Sequence, residues 1–354
     1  MKQRKVLLFV SVLLFSLAFS PAGCSRPGRT PAPRTPSPSL ADPFARNKRL
    51  GRGVNLGNAL EAPREGEWGV TLKEEHFQLI KDGGFDSVRV PIRWSAHASK
   101  TAPYTIDPAF FARVDWAVEQ ALARGLMVVI NVHHYEEIMQ RPAAHRERFL
   151  ALWAQIAAHY KGYPPDLLFE LLNEPNSALT ARTWNPLLQD ALGTIRQTNP
   201  ERNVVVGPAD WNSIGSLASL ELPPDDKRII VTVHYYDPFH FTHQGAEWVS
   251  GSSAWLGTDW QGTAAQEQAV RRGLDRAAAW AQAHDRPLYL GEFGAYSKAG
   301  MDSRARWTAF VARQAEERGL SWAYWEFCAG FGVYDQALRR WNEPLLAALI
   351  PQPG

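Results

Sequence analysis

Along residues 44–354, short runs of aliphatic and β-branched residues alternate with longer stretches whose apolar positions recur every three or four residues. The runs predict strands at Arg52–Leu56, Ser87–Pro91, Met127–Val132, Leu167–Leu172, Val204–Gly207, Ile229–His234, Leu288–Gly291 and Trp322–Trp325. The amphipathic stretches predict helices over Pro108–Arg124, Arg146–Tyr160, Trp184–Thr198, Ala264–His284 and Ser303–Arg318. Gly125 and Gly319 stand where C-terminal helix stops belong. Eight strand–helix units of this length predict the α/β class and a single (β/α)8 TIM barrel. A doubly wound sheet fits less well, because no Gly-x-Gly-x-x-Gly turn follows the first strand.

The N-terminal end follows a different pattern. A basic start (Lys2, Arg4, Lys5) precedes an apolar stretch, Val6–Phe19, and small residues follow at Ala22–Gly23. Residues 1–23 therefore read as a signal peptide, too short for a membrane-spanning helix of about 20 apolar residues. Cys24 directly after Ala-Gly resembles a bacterial lipobox, in which the cysteine is lipidated. Pro21 departs from that motif, and an ordinary cleavage nearby would leave Cys24 incidental. Residues 24–43 carry six prolines from Ser25 onward. They read as an extended spacer between a lipid anchor at Cys24 and a single domain at 44–354. The expected destination is the cell surface or the medium.

Charge removes one class of partner. The formal net charge is +2, with 38 basic against 36 acidic residues. Loss of the leader would turn the remainder slightly negative, leaving no global field to attract phosphate backbones, so no nucleic-acid partner is expected. Cys24 and Cys328 are the two cysteines. They cannot form a disulfide scaffold, so stability is expected from packing. A monomer is expected.

Candidate chemistry gathers at the C-terminal strand ends, where barrels of this kind place their sites. Asn55–Asn58 follows the first strand, Arg89 lies on the second, and His133–His134 follows the third. Asn173–Glu174 follows the fourth, His234–Tyr236 the sixth, Glu292 the seventh and Trp325–Glu326 the eighth. Two facing carboxylates can hydrolyse a glycosidic bond, one protonating the leaving oxygen and the other attacking the anomeric carbon. Leu-Asn-Glu-Pro puts Glu174 on a turn fixed by Pro175, and Gly-Glu-Phe-Gly puts Glu292 between glycines. A single glutamate of this kind reads as well as a surface ion pair; the pair beside Arg89 and two histidines does not. Adjacent His133 and His134 on a strand are expected to face opposite ways, without a metal-ligand spacing, so neither a metal nor a cofactor is expected. The 14 tryptophans offer platforms for sugar faces; Trp325 and Trp248 are assigned to the site, and the others to packing.

The ordered set Gly53–Glu61 (GVNLGNALE), Arg89–Ile92 (RVPI), Leu172–Pro175 (LNEP), His234–Tyr236 (HYY), Gly291–Gly294 (GEFG) and Trp322–Phe327 (WAYWEF) resembles glycoside hydrolase family 5. It is closest to the family's bacterial endoglucanases, including those that also accept mannans. The resemblance implies retention of configuration, with Glu174 as acid/base and Glu292 as nucleophile. It implies Arg89 and Tyr236 holding Glu292, Asn173 holding the 2-hydroxyl, His234 in the wall near Glu174, His133 as the family's strand-3 histidine, and Trp325 as floor. Asn58, His134, His243, Trp248 and Glu326 match sugar contacts of the closer relatives. The implied partner is a polysaccharide, β-1,4-glucan with mannan as a second substrate. A β-mannanase as the main activity, a catalytically silent carbohydrate-binding barrel and a metal-dependent barrel hydrolase are the rival readings.

Overall fold

The computed structural model describes residues 42–352, which belong to one compact unit. The expected signal peptide, Cys24 and all but the last two residues of the spacer lie outside the described residues. None of the described helices is long and apolar enough to cross a membrane.

Eight parallel strands close into a barrel: β1 (Arg52–Asn55), β2 (Ser87–Val90), β3 (Met127–Asn131), β4 (Leu167–Glu170), β5 (Val204–Val206), β6 (Ile229–His234), β7 (Leu288–Phe293) and β8 (Ser321–Tyr324). The first and last strands pair in register Arg52 with Trp322, so the barrel sheet has no open edge. Side chains alternate inward and outward along each strand. Val88 and Val90 face the helices, in the large cluster that also takes Phe77, Trp153 and Trp307. Met127, Val129, Leu168, Val205, Ile230, Tyr289 and Ala323 fill the barrel interior.

The helices follow their local signals. Asp107 caps the helix Pro108–Ala123, accepting from Ala109 N at 2.9 Å. Thr263 and Gln266 form a reciprocal cap on Ala264–Ala283. Gly125 and Gly319 take φ of +68° and +73° just past their helices, the left-handed geometry of a C-terminal stop. The expected eight strand–helix units need one correction. Between β5 and β6 there is only a short 3₁₀ turn, Ile214–Ser219; Pro208, Pro223 and Pro224 crowd this connection and withhold backbone donors.

A helix before the barrel, Pro43–Leu50, closes its N-terminal end. Leu50 joins the interior cluster. Asn47 donates to Leu288 O at 2.9 Å and accepts from Ser321 Oγ at 2.6 Å. The opposite end is left open for chemistry.

Candidate active site

Arg89 lies inside the barrel, fully buried, and uses all five of its N–H donors. Nε and Nη2 grip Glu170 of β4 at 2.6 and 2.7 Å. Nη1 donates to Asn55 Oδ1 at 2.8 Å and to Glu292 Oε1 at 2.7 Å, and Nη2 also donates to Asn173 Oδ1 at 2.7 Å. One buried cation therefore fixes side chains from β1, β4, the loop after β4, and β7. Burial disfavours its charge, but Glu170 and Glu292 outweigh that and hold the guanidinium more firmly protonated than usual.

Glu292 reaches this cation because β7 is irregular. Tyr289 points inward and Leu290 outward, so plain alternation would send Glu292 outward. The register slips between Leu290 and Phe293, and this bulge turns Glu292 to the interior. Gly291 sits in the slip; a Cβ there would come within 2.6 Å of Thr232 Oγ1. Glu292 Oε2 accepts from the Tyr236 hydroxyl at 2.9 Å.

Glu174 follows β4 with φ of +46°, uncommon for a residue with a side chain. Asn176 Nδ2 donates to its carbonyl at 2.7 Å and holds the turn. Its Oε1 lies 2.6 Å from His234 Nδ1, and its side chain keeps 24% exposure, against 7% for Glu292. A carboxylate oxygen of Glu174, one of Glu292 and a ring nitrogen of His234 lie within 4.8 Å of one another. By distance these three groups could surround a cation, but their oxygens already meet His234, Arg89 and Tyr236, and Arg89 supplies positive charge at Glu292.

The environments of the two acids differ in a way that decides where one proton resides. Burial pushes Glu174 up to about 7, opposed by Arg89 and His134 and aided by Glu170. Burial also raises Glu292, but His234, Arg89 and the Tyr236 hydroxyl oppose it. The ion pair with Arg89 at 2.7 Å favours the charged form of Glu292, so Glu174 is the member that holds the proton. Burial lowers His234 to about 4 and His133 well below its usual value.

Glu174 and Glu292 open onto a cleft of about 1730 Å³. It brings together Asn58, His133, His134, Asn173, His234, Tyr236, His243, Trp248 and Trp325. Arg89 stays beneath the floor. Trp325, directly after β8, stacks on His133 at 5.8 Å and 14°. Trp248, 62% exposed, stands edge-on to Tyr296 at 4.9 Å, and His243 packs against Tyr236 at 4.9 Å.

Two expectations are corrected. His133 and His134 do not face opposite ways: β3 ends at Asn131, His134 takes φ of +48°, and both rings meet at 4.6 Å in the cleft. Glu326 is no sugar contact. It is fully buried, and its carboxylate accepts backbone N–H groups of Cys328, Ala329 and Phe331 at 2.8–3.0 Å. The loop after β8 is built around it. Glu61 does similar work after β1, accepting from Asn58 N and from Ala59 N at 3.0 Å.

Several cleft residues escaped the sequence reading. Trp68 stands edge-on to His134 at 5.3 Å, and Trp211, 53% exposed, follows β5. Both lie on loops without strand or helix periodicity, so only their exposure in a cleft distinguishes them from packing tryptophans. Glu170, buried on β4 against Arg89, escaped as well, though inward alternation from Leu168 could have found it.

The model of the cellulase family (glycosyl hydrolase family 5) matches residues 51–330. The chain belongs to glycosyl hydrolase family 5. Among curated relatives, Endoglucanase H of Acetivibrio thermocellus is 37% identical over 94% of this chain, and the cellulase/esterase CelE of the same organism is 30% identical over 79%. The chain spans only 37% and 36% of those two proteins' lengths. Among solved structures, Cel5A of Thermotoga maritima, in complexes with mannotriose and with cellobiose, superposes with a TM-score of 0.86 at 54% identity, covering 87% of this chain and all of that one. The closed barrel is thus the fold of its family 5 relatives.

Proposed function

We propose that this chain is an endo-β-1,4-glycanase that cleaves β-1,4-glucan with retention of configuration. One observation carries the reading: two carboxylates within 4.8 Å, one tied to Arg89 and Tyr236 and the other held up to about 7. Retaining glycosidases use a short separation of about 5 Å, because the nucleophile itself must touch the anomeric carbon. Glu292 attacks that carbon and the C–O bond to the leaving chain breaks. The leaving oxygen takes the proton of Glu174. Glu174, now a carboxylate, removes a proton from water, whose oxygen displaces Glu292 and frees the sugar. Asn173 offers its amide N–H to the 2-hydroxyl, since its carbonyl is occupied by Arg89.

Release of reducing sugar from carboxymethylcellulose tests the activity, and a silent binding barrel would give none. Full activity after EDTA removes the metal-dependent alternative. Glu174→Gly and Glu292→Gly should each lose several orders of magnitude in turnover. Azide should rescue the Glu292 variant with an inverted glycosyl azide and the Glu174 variant with a retained one; the reverse pattern would exchange the two roles.

Mannan as a second substrate follows from the polar groups around the upstream sugar. Glucose and mannose differ in the direction of the 2-hydroxyl. Asn58, His133 and His134 can donate or accept on different sides of that ring. The complexes of Cel5A from Thermotoga maritima with both sugar types support the reading. Wild type should act on carboxymethylcellulose and on glucomannan, and His134→Ala should shift the ratio of the two kcat/KM values by about 5- to 150-fold, the cost of an unpaired buried hydroxyl. No action on any mannan would sink dual specificity alone. Export by the leader, with a monomeric domain anchored through Cys24, completes the proposal; loss of lipid from a Cys24→Ala variant tests the anchor.

A further inference from the structure

Asp210, Trp211 and Asn212 are three consecutive non-glycine residues with φ of +64°, +55° and +54°. Such a run is costly unless the surrounding structure needs it. What it achieves is the placement of Asn212, fully buried behind the acid/base. Its carbonyl accepts the backbone N–H of His234 at 3.0 Å. Its side-chain Nδ2 lies 3.3 Å from Nε2 of the same histidine. Room for that amide exists because residue 207 is glycine: a Cβ there would come within 2.2 Å of Asn212 Oδ1.

The other side of the His234 ring faces acids. Glu174 Oε1 lies 2.6 Å from Nδ1 and Glu292 Oε2 lies 3.6 Å from it. Two carboxylate oxygens facing one nitrogen call for a proton on that nitrogen. Burial keeps the imidazole neutral at working pH, so it carries a single ring proton. Nε2 is then a bare lone pair in a dry place and requires a donor. Among the described residues Asn212 is the one hydrogen-bond partner of Nε2; the Thr232 hydroxyl beside it makes no hydrogen bond.

We propose that Asn212 is a positioning residue for the acid/base step: its amide N–H fixes His234 in the Nδ1–H tautomer, so that Oε1 of Glu174 always accepts. The transferable proton of Glu174 then sits on Oε2, the oxygen free to meet the leaving group. Without the amide, His234 can take the Nε2–H tautomer. Its bare Nδ1 would draw the proton of Glu174 onto Oε1, away from the bond to be cleaved. This inference rests on the acid/base role given to Glu174 above.

The test uses Asn212→Asp, which keeps size and tolerance of positive φ but offers only an acceptor when ionised, and Asn212→Gly, which keeps the backbone geometry and removes the amide. For each, kcat/KM is measured on cellotetraose, whose leaving group needs a proton, and on 2,4-dinitrophenyl cellobioside, whose leaving group does not. Both variants should lose about tenfold or more on cellotetraose, part of the roughly 10²- to 10⁴-fold that general acid catalysis contributes, and remain near wild type on the aryl substrate. Nitrogen-15 spectra of the histidines should show His234 protonated at Nδ1 in wild type and redistributed in the variants. Equal losses on both substrates would mean a merely structural role and overturn the inference, as would an Nε2–H tautomer in wild type. Glu174→Ala serves as the control. If it shows the leaving-group dependence and the Asn212 variants do not, this inference fails alone; if Glu174→Ala lacks it, the acid/base assignment fails and takes the inference with it.

Discussion

At the scale of single residues, the site depends on unequal treatment of two similar groups. Glu174 and Glu292 are both carboxylates at strand ends, and both are raised by burial. Arg89 and Tyr236 bond directly to Glu292, whereas Glu174 meets a neutral histidine. The sign of the pH dependence follows. In the proposed mechanism Glu174 must be protonated to act, so kcat/KM should fall as pH rises through about 7. Glu292 must be ionised, so activity should also fall on the acid side as Glu292 takes up a proton. A bell with its optimum below neutrality is expected from pH 4 to 9, and a flat profile would contradict the pairing. Glu326 shows what residue type alone fails to reveal. A glutamate beside Trp325 looks like a sugar contact in sequence, yet three backbone N–H groups already claim it.

At the scale of elements, strands and long helices were legible because their periodicities differ and their caps are explicit. The helix Glu74–Asp82 escaped because it is short and has few apolar positions. The missing helix between β5 and β6 was signalled only by prolines. The bulge in β7 matters most for function. Gly291 marks it, but a glycine before a glutamate has many readings in sequence. Gly291→Ala should press its methyl against Thr232 and His234, with contacts of 2.6 and 3.1 Å before relaxation. The expected result is a fall in kcat, by about tenfold or more if Glu292 moves off its productive position, with the barrel still folded by circular dichroism. Unchanged turnover would show that the bulge tolerates a side chain and does not aim Glu292.

At the scale of the whole molecule, stability and chemistry occupy opposite ends of one barrel. The helix Pro43–Leu50, the Asn47 bonds and the apolar interior layer close the N-terminal end, while the buried ions and the cleft lie at the other. Leu50→Ala should therefore destabilise by about 2–5 kcal/mol, seen as a lower Tm, and leave kcat/KM unchanged below the transition. A matching loss of activity in the folded protein would show that the two ends are coupled.

The sequence by itself determined the barrel, since eight β-branched runs separated by amphipathic stretches admit few arrangements that bury every apolar face. It also determined which strand ends carry chemistry, because Asn173–Glu174, His234–Tyr236 and Glu292 stand directly after or within apolar runs that must be strands. Only the tertiary structure decided how these residues meet. Arg89 finds Glu170, Asn55 and Glu292 across the barrel; Trp68 and Trp211 come to the cleft on aperiodic loops; and Asn212 reaches His234 through three left-handed residues. Local periodicity reports which face of an element is buried. It carries no information about which polar groups, distant in sequence, will share a proton or a charge once the barrel closes.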